Sequence, residues 1–314
     1  MEWWVLLAVI LGLVALVYLL RPTSDTECPP TYMLPFTPTT ITQGRVLPTV
    51  DEGLNKMKRK KVIFAGLLRD GEKRIPSMIA KIEAVGKYWK DYRVVIVEND
   101  STDRTRELLL EWRKYNPRVT VLGCGENVKT CKLQLPATPD HSWKPSRIRK
   151  MAHLRNIYME YIQEKLFTWD YLFVIDMDIV GNLYIDGVAD SVAQMENNKE
   201  LDALASYGVA PRGNGWYFYD PFSHVEKGHS EIWNNVHEKL SHDAAVWLRS
   251  RYSYGDKLEY VRSSFGGATL YKLSKVISSR YDYAEDKYAC EHVFFHKELN
   301  MAINPSMWHM VFKN

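Results

Sequence analysis

The sequence predicts an α/β fold, a mostly parallel sheet flanked by helices, in one folded domain behind an N-terminal apolar segment. Three observations carry that expectation. Residues 62–68, 93–97, 119–122 and 171–175 are short apolar runs rich in Val, Ile, Leu, Phe and Tyr. Runs of that length without alternation fit strands buried on both faces. Segments with helical spacing separate them, which is the βαβ pattern of a parallel sheet. Three of the runs end in charged residues: Arg69-Asp70, Glu98-Asn99-Asp100 and Asp176-Met177-Asp178.

The chain has 314 residues and a net charge of +3, ample for a packed core and too balanced to argue for nucleic acid. Residues 3–20 are continuously apolar, bordered by Glu2 and Arg21. That length suits one bilayer crossing. With no basic segment before it and no small-x-small cleavage site after it, it reads as an uncleaved anchor rather than a signal peptide. Residues 22–60 read as a stem, because 21–55 are rich in Pro and Thr without a sustained period. The domain then spans 61–314. The basic cluster at 56–61 either touches anionic lipid or is a solvated charged stretch. With Arg21 it favours a cytoplasmic domain under the positive-inside rule, whereas a lumenal domain needs the opposite bias; the small bias assigns no face.

The elements follow in order. Residues 62–68 form the first strand. Residues 75–88 carry helical spacing at Ile75, Met78, Ile79, Ile82 and Val85. Residues 93–97 form the second strand; Ser101, Thr102 and Asp103 then offer N-caps to a helix through Leu108, Leu109 and Trp112. Residues 119–122 form a third strand, 147–165 a helix and 171–175 a fourth strand. Beyond these, 201–207 read as a strand, 216–220 as an aromatic cleft wall and 237–251 as a helix. Residues 260–271 read as a strand-like run containing Gly266-Gly267, where bare backbone approaches a ligand. Residues 288–299 read as a helix. Cys124 and Cys131 flank a short loop and either pair or remain thiols, and no cysteine has zinc-ligand spacing.

In a right-handed parallel sheet the charged strand ends meet on one edge, where ligands of open α/β sheets bind. Asp176 and Asp178, one residue apart after a buried strand, need a cationic partner. Their hard oxygens suit Mn2+ or Mg2+ carrying a diphosphate. Asp100 or Glu98 would accept from a base or ribose, and Arg69 would stack or pair with phosphate. Asp100 equally suits helix capping. Arg155, in His153-Leu154-Arg155-Asn156, reaches a diphosphate or faces solvent. Glu291 is a general base or an exposed helix residue. His292 and His296 share a helical face, but the pattern is not His-Glu-x-x-His, which argues against a zinc hydrolase. His309 is a metal ligand or a packed histidine.

The segments Glu98-Asn99-Asp100-Ser101-Thr102-Asp103, Arg147-Ile148 with 153–156, and 169–178 resemble, in that order, GT-A-fold nucleotide-sugar glycosyltransferases. More narrowly, with Tyr219-Asp220, Cys290-Glu291 and Asn304-Pro305, the chain resembles the fungal capsule-associated α-1,3-mannosyltransferases. The resemblance runs from about Lys61 to Trp308. It implies a GT-A-type, Rossmann-like sheet and a metal-dependent hexosyltransferase. It also implies a GDP- or UDP-linked sugar as donor, a glycan or glycoprotein as acceptor, and a Golgi- or ER-type or other intracellular membrane, entered by a single N-terminal pass. Asp176 would contact ribose or metal, Asp178 the metal, Arg155 the diphosphate and Asp100 the nucleoside. Tyr219, Asp220, Gly266 and Gly267 would border sugar and acceptor. Glu291 matches the base of inverting enzymes; in a retaining enzyme it would hold the acceptor or sugar.

Two rivals stand beside this reading. Asp176-Met177-Asp178-Ile179-Val180 fits a haloacid-dehalogenase-type phosphatase with Asp176 as the phosphorylated nucleophile. That motif belongs on a first core strand, and here three precede it. The other rival is a non-catalytic, membrane-tethered sugar- or nucleotide-binding protein.

Overall fold

The structure, a computed structural model, describes residues 47–123, 145–212, 215–228, 251–284 and 289–312. Cys124, Cys131, the apolar segment 3–20 and nearly all of the expected helix 237–251 lie outside them. Among the described residues no helix is long and apolar enough to cross a membrane.

The first half follows the expected order. Helix α1 (Val50–Met57) leads into β1 (Lys61–Leu68), α2 (Ile75–Gly86), β2 (Asp91–Glu98), α3 (Thr105–Tyr115), β3 (Val119–Leu122), α4 (Pro145–Lys165) and β4 (Tyr171–Ile175). Strand β1 pairs in parallel with β2 on one side and β4 on the other, and β2 with β3. Alternate residues feed two cores. Ile63, Ala65, Val95, Val97, Leu172 and Val174 pack with Leu154, Tyr158 and Ile162 of α4. Val62, Phe64, Val94, Ile96, Tyr171 and Phe173 pack with Ile82 and Leu109 on the opposite face. Burial on both faces is why these strands read as continuous apolar runs.

The second half contains α5 (Ile185–Asn197), β5 (Ala203–Arg212), β6 (Gly215–Phe218), a 3-10 turn (Pro221–Ser223), β7 (Val225–Glu226), β8 (Glu259–Ser263), β9 (Ala268–Lys272), α6 (Leu273–Val276), α7 (Glu291–Phe295) and β10 (Met301–Met310). Among the described residues the sheet order is β3-β2-β1-β4-β9-β5-β10-β8-β7, with β6 on β5. Strand β9 runs antiparallel to β4 and β5, so the parallel half continues into a mixed one.

Four local expectations are corrected. The stretch read as stem contains α1, whose Gly53 lies against α5 so closely that a Cβ would sit 1.8 Å from the Ala189 carbonyl oxygen. The Thr49 hydroxyl donates to Asp190, and Met57 is fully buried. The run 260–271 is two strands, because Gly266 (φ 60°) and Gly267 (φ 84°) take left-handed backbone that no strand continues through. Of the expected helix at 288–299, the described residues 289–299 are helical only over Glu291–Phe295, ending where His296 turns to bond Ser263 and Tyr271. Helix α3 has its first-turn amide met by Asp103, whose Oδ1 accepts from Thr105 N at 2.9 Å, so Asp100 is not its cap.

Candidate active site

The ends of β1, β2 and β4 and the loop leading into β9 border a cavity of about 500 Å³. Parallel pairing of β1 with β2 and β4 brings their carboxyl ends together, and antiparallel β9 delivers Phe265 to the same edge. Of the candidate residues, Arg69, Arg155, Asp176, Asp178, Tyr219, Asp220 and Glu291 line this cavity.

Arg155 is its central cation. Its Nε donates to Glu291 Oε1 at 2.9 Å, and its Nη2 lies 3.8 Å from Asp176 Oδ1. The guanidinium also lies over the rings of Phe265 and Tyr281, 5.5 Å from each centroid. Burial opposes its charge, but Tyr158, Glu291, Tyr281 and Asp176 outweigh that and keep it firmly protonated. Tyr219 donates its hydroxyl to Asp176 Oδ2 at 2.9 Å. Burial, with Asp176, Asp178 and Asp220 close by, pushes that phenol well above its usual range, so it stays a donor. Glu291 Oε2 accepts from the Cys290 thiol at 3.5 Å. Burial and Glu291 push that thiol well up, which leaves it protonated and a poor nucleophile.

The other candidates sit elsewhere. Glu98 is 1% exposed and its carboxylate is spent internally: Oε1 accepts from Ser101 N at 2.7 Å and Oε2 from Arg106 Nε at 2.6 Å. A buried carboxylate needs such compensation, so it braces the loop into α3 instead of meeting a nucleoside. Asp100 is outside the lining, where its neighbour Asn99 stands, and has left-handed backbone at φ 55°. Gly266 and Gly267 also lie outside the lining. A Cβ on Gly266 would sit 2.1 Å from the Ser206 carbonyl oxygen, so the bare backbone serves packing on β5. His309 is fully buried in β10, with Nε2 3.4 Å from Lys81 Nζ. An ammonium there opposes cation binding by that nitrogen. Among the described residues no three His, Cys, Asp or Glu side chains gather into a metal-sized group, so His309 does not join the aspartates.

A divalent ion still fits the donor set. Asp176 and Asp178 put two hard carboxylates on one cavity wall, and Mg2+-type sites commonly use one or two carboxylates with substrate phosphates completing the shell.

Some residues in or behind the cavity wall escaped the sequence reading, and His292 entered it only as a zinc-spacing partner of His296. Lys81 is 3% exposed and donates to Ile179 O at 3.0 Å, just behind the aspartates. Burial pulls its ammonium down to about 8, against the opposing pull of Asp176 and Asp178. The signal was present: Lys81 falls between Met78 and Val85 on the apolar stripe of α2. Lys150 and Arg147, from the first turns of α4, also line the cavity. His292 and Phe265 complete the wall near Glu291.

The family model for Glycosyl transferase family 2 matches residues 69–131, about one fifth of the chain. The match starts just after β1 and covers α2, β2, α3 and β3; Asp176 and Asp178 lie beyond it. It supports a glycosyltransferase as the class of this protein. No curated protein matches the chain. Among solved structures, Staphylococcus aureus TarS (residues 1–349) with UDP-GlcNAc is 13% identical, at a TM-score of 0.46 over 81% of this chain and 59% of that one. A Pyrobaculum calidifontis mannosyltransferase, PcManGT, with GDP-Man and Mn2+ is 12% identical, at a TM-score of 0.44 over 80% and 56%. GalNAc-T7 with UDP, GalNAc and Mn2+ is 12% identical, at a TM-score of 0.44 over 80% and 44%. The chain thus spans less than two thirds of these proteins' length, and likeness at this level carries no functional argument.

Proposed function

We propose that this protein is a metal-dependent glycosyltransferase that moves a hexose from a nucleoside-diphosphate sugar to a hydroxyl of a glycan or glycoprotein. The observation that carries the reading is one cavity at the strand ends joining Asp176, Asp178, Arg155 and Glu291, beside the family-2 match. Asp176 and Asp178 would hold Mn2+ or Mg2+, which when bound neutralises charge on the leaving diphosphate. Tyr219 fixes the rotamer of Asp176 through its hydroxyl. Arg155 orients Glu291 from the other side, and Glu291 would accept a hydrogen bond from the acceptor hydroxyl. Asp220 and the Phe265 ring would flank the sugar. Arg69, at the β1 end, would meet a donor phosphate. The cationic wall of Arg147 and Lys150 suits an anionic portion of donor or acceptor.

The narrower resemblance makes mannose the first sugar to test. Residues 3–20 would tether the domain to a membrane by a single pass, so the full chain is best handled in detergent. The test screens GDP- and UDP-sugars with Mn2+, following nucleotide release with and without glycan acceptors. Release from one donor, lost on chelation and in Asp178→Asn, is the expected result. Release of phosphate from a phosphomonoester, with no turnover of any nucleotide-sugar, would sink the assignment in favour of the phosphatase.

A further inference from the structure

We propose that His292 is a sugar-contacting residue, a neutral imidazole in the cavity wall whose ring nitrogens are kept for a hydroxyl of the bound nucleotide-sugar. This rests on the glycosyltransferase reading. His292 is the second residue of α7, 1% exposed, and lines the cavity with Glu291 and Arg155. Its ring is fixed by packing: it stacks on Phe265 at 4.0 Å and 19°, and meets Tyr281 edge-on at 5.5 Å and 82°. Neither Nδ1 nor Nε2 has a hydrogen-bond partner among the described residues. The nearest carboxylate oxygen, Glu291 Oε1, is 3.9 Å from Nε2, beyond hydrogen-bond reach.

His296, one turn on, supplies the contrast. Its Nδ1 pairs with the Ser263 hydroxyl at 2.9 Å and its Nε2 with the Tyr271 hydroxyl at 2.7 Å. His296 is thereby satisfied within the fold. A buried polar atom left unpaired costs stability unless something outside the chain pairs it.

The chemistry selects the occupant. Burial, the Arg155 charge and His296 hold the His292 ring neutral, so it carries one donor and one acceptor. A hydroxyl also carries both. A diphosphate is anionic and acceptor-only, and is better matched by Arg69, Arg147 and Lys150. His292 lies on the Glu291 side of Arg155, whose other side faces Asp176. It therefore shares the cavity with the aspartates but stands across Arg155 from them.

The test uses the full chain in detergent with Mn2+. UDP, GDP, UDP-GlcNAc, GDP-mannose and further UDP- and GDP-hexoses are titrated into wild type, His292→Phe and His292→Gln. The expected outcome is that His292→Phe binds free nucleotide as wild type does, but the nucleotide-sugar at least tenfold more weakly. His292→Gln recovers part of the loss, and ligand-free His292→Phe melts no lower than wild type, because two unpaired buried nitrogens are gone. Equal binding of every nucleotide-sugar by wild type and His292→Phe overturns the proposal while leaving the enzyme class standing. So does a His292→Phe protein that melts well below wild type and loses nucleotide and nucleotide-sugar alike, since that marks a structural histidine. Failure of wild type to bind any nucleotide overturns the glycosyltransferase reading, and this inference with it.

Discussion

Arg155 Nε donates to Glu291 Oε1 at 2.9 Å, although the two residues are 136 positions apart, and each side chain is only 5% exposed. This buried pair ties α4 to α7 across the cavity, with Asp176 at the far side of the guanidinium. Removing one partner of such a pair strands the other charge in a poorly solvated place.

Arg155→Met should therefore destabilise the protein by about 3–5 kcal/mol. Glu291→Gln should cost less, because Arg155 retains Asp176 and the amide keeps the volume. Urea denaturation separates the two. An equal loss in both variants would mean that the pair contributes nothing beyond packing.

Glu98 and Arg106 form a second pair, which the structure assigns to the scaffold. Arg106→Met should cost about 3 kcal/mol, at the low end for a buried pair because Arg106 is 16% exposed. Donor KM should not move. A raised KM at unchanged stability would return Glu98 to the nucleoside site.

Gly266→Ala should destabilise more than Gly228→Ala. Both glycines have positive φ, and a non-glycine residue there costs about 1–3 kcal/mol in backbone strain. At Gly266 a Cβ also strikes backbone, 2.1 Å from the Ser206 oxygen; at Gly228 no atom of the described residues lies within 4 Å. Thermal melts of the two variants give the comparison.

Acid should destabilise the fold through its buried histidines, His224, His292, His296 and His309, all of which burial holds below the usual range. Burial lowers His224 to about 4 and His296 to about 3, against about 6.5 when unfolded. Both are neutral in the native state, so their contribution is fully present above pH 6.5. It is lost as pH falls from 6.5 toward 3, because the unfolded chain takes up protons that the native protein does not. The loss is on the order of a few kcal/mol for each histidine, at about 1.4 kcal/mol per pH unit. His224→Leu should flatten the upper part of that slope in a stability–pH profile.

Strands β1 to β4 were legible because each is covered on both faces, which writes burial into consecutive residues. Asp176 and Asp178 were legible because a strand end followed by two acids is a local pattern. Strands β5 to β10 were harder to place, since their pairing is mixed and set by partners far away in the chain. Lys81 was passed over as one polar residue on an apolar helical stripe, although that position is what places its ammonium behind the aspartates.

The sequence by itself determined the alternation of strands and helices and the charged ends of three strands, because periodicity and strand termination are properties of neighbouring residues. Only the tertiary structure decided which charges meet. Glu98 and Glu291 look alike as acids beside apolar runs, yet one is spent on Arg106 and the other faces the cavity against Arg155. The reason is distance: an ion pair depends on separation through space, and the packing of α4 and α7 against the sheet sets that separation.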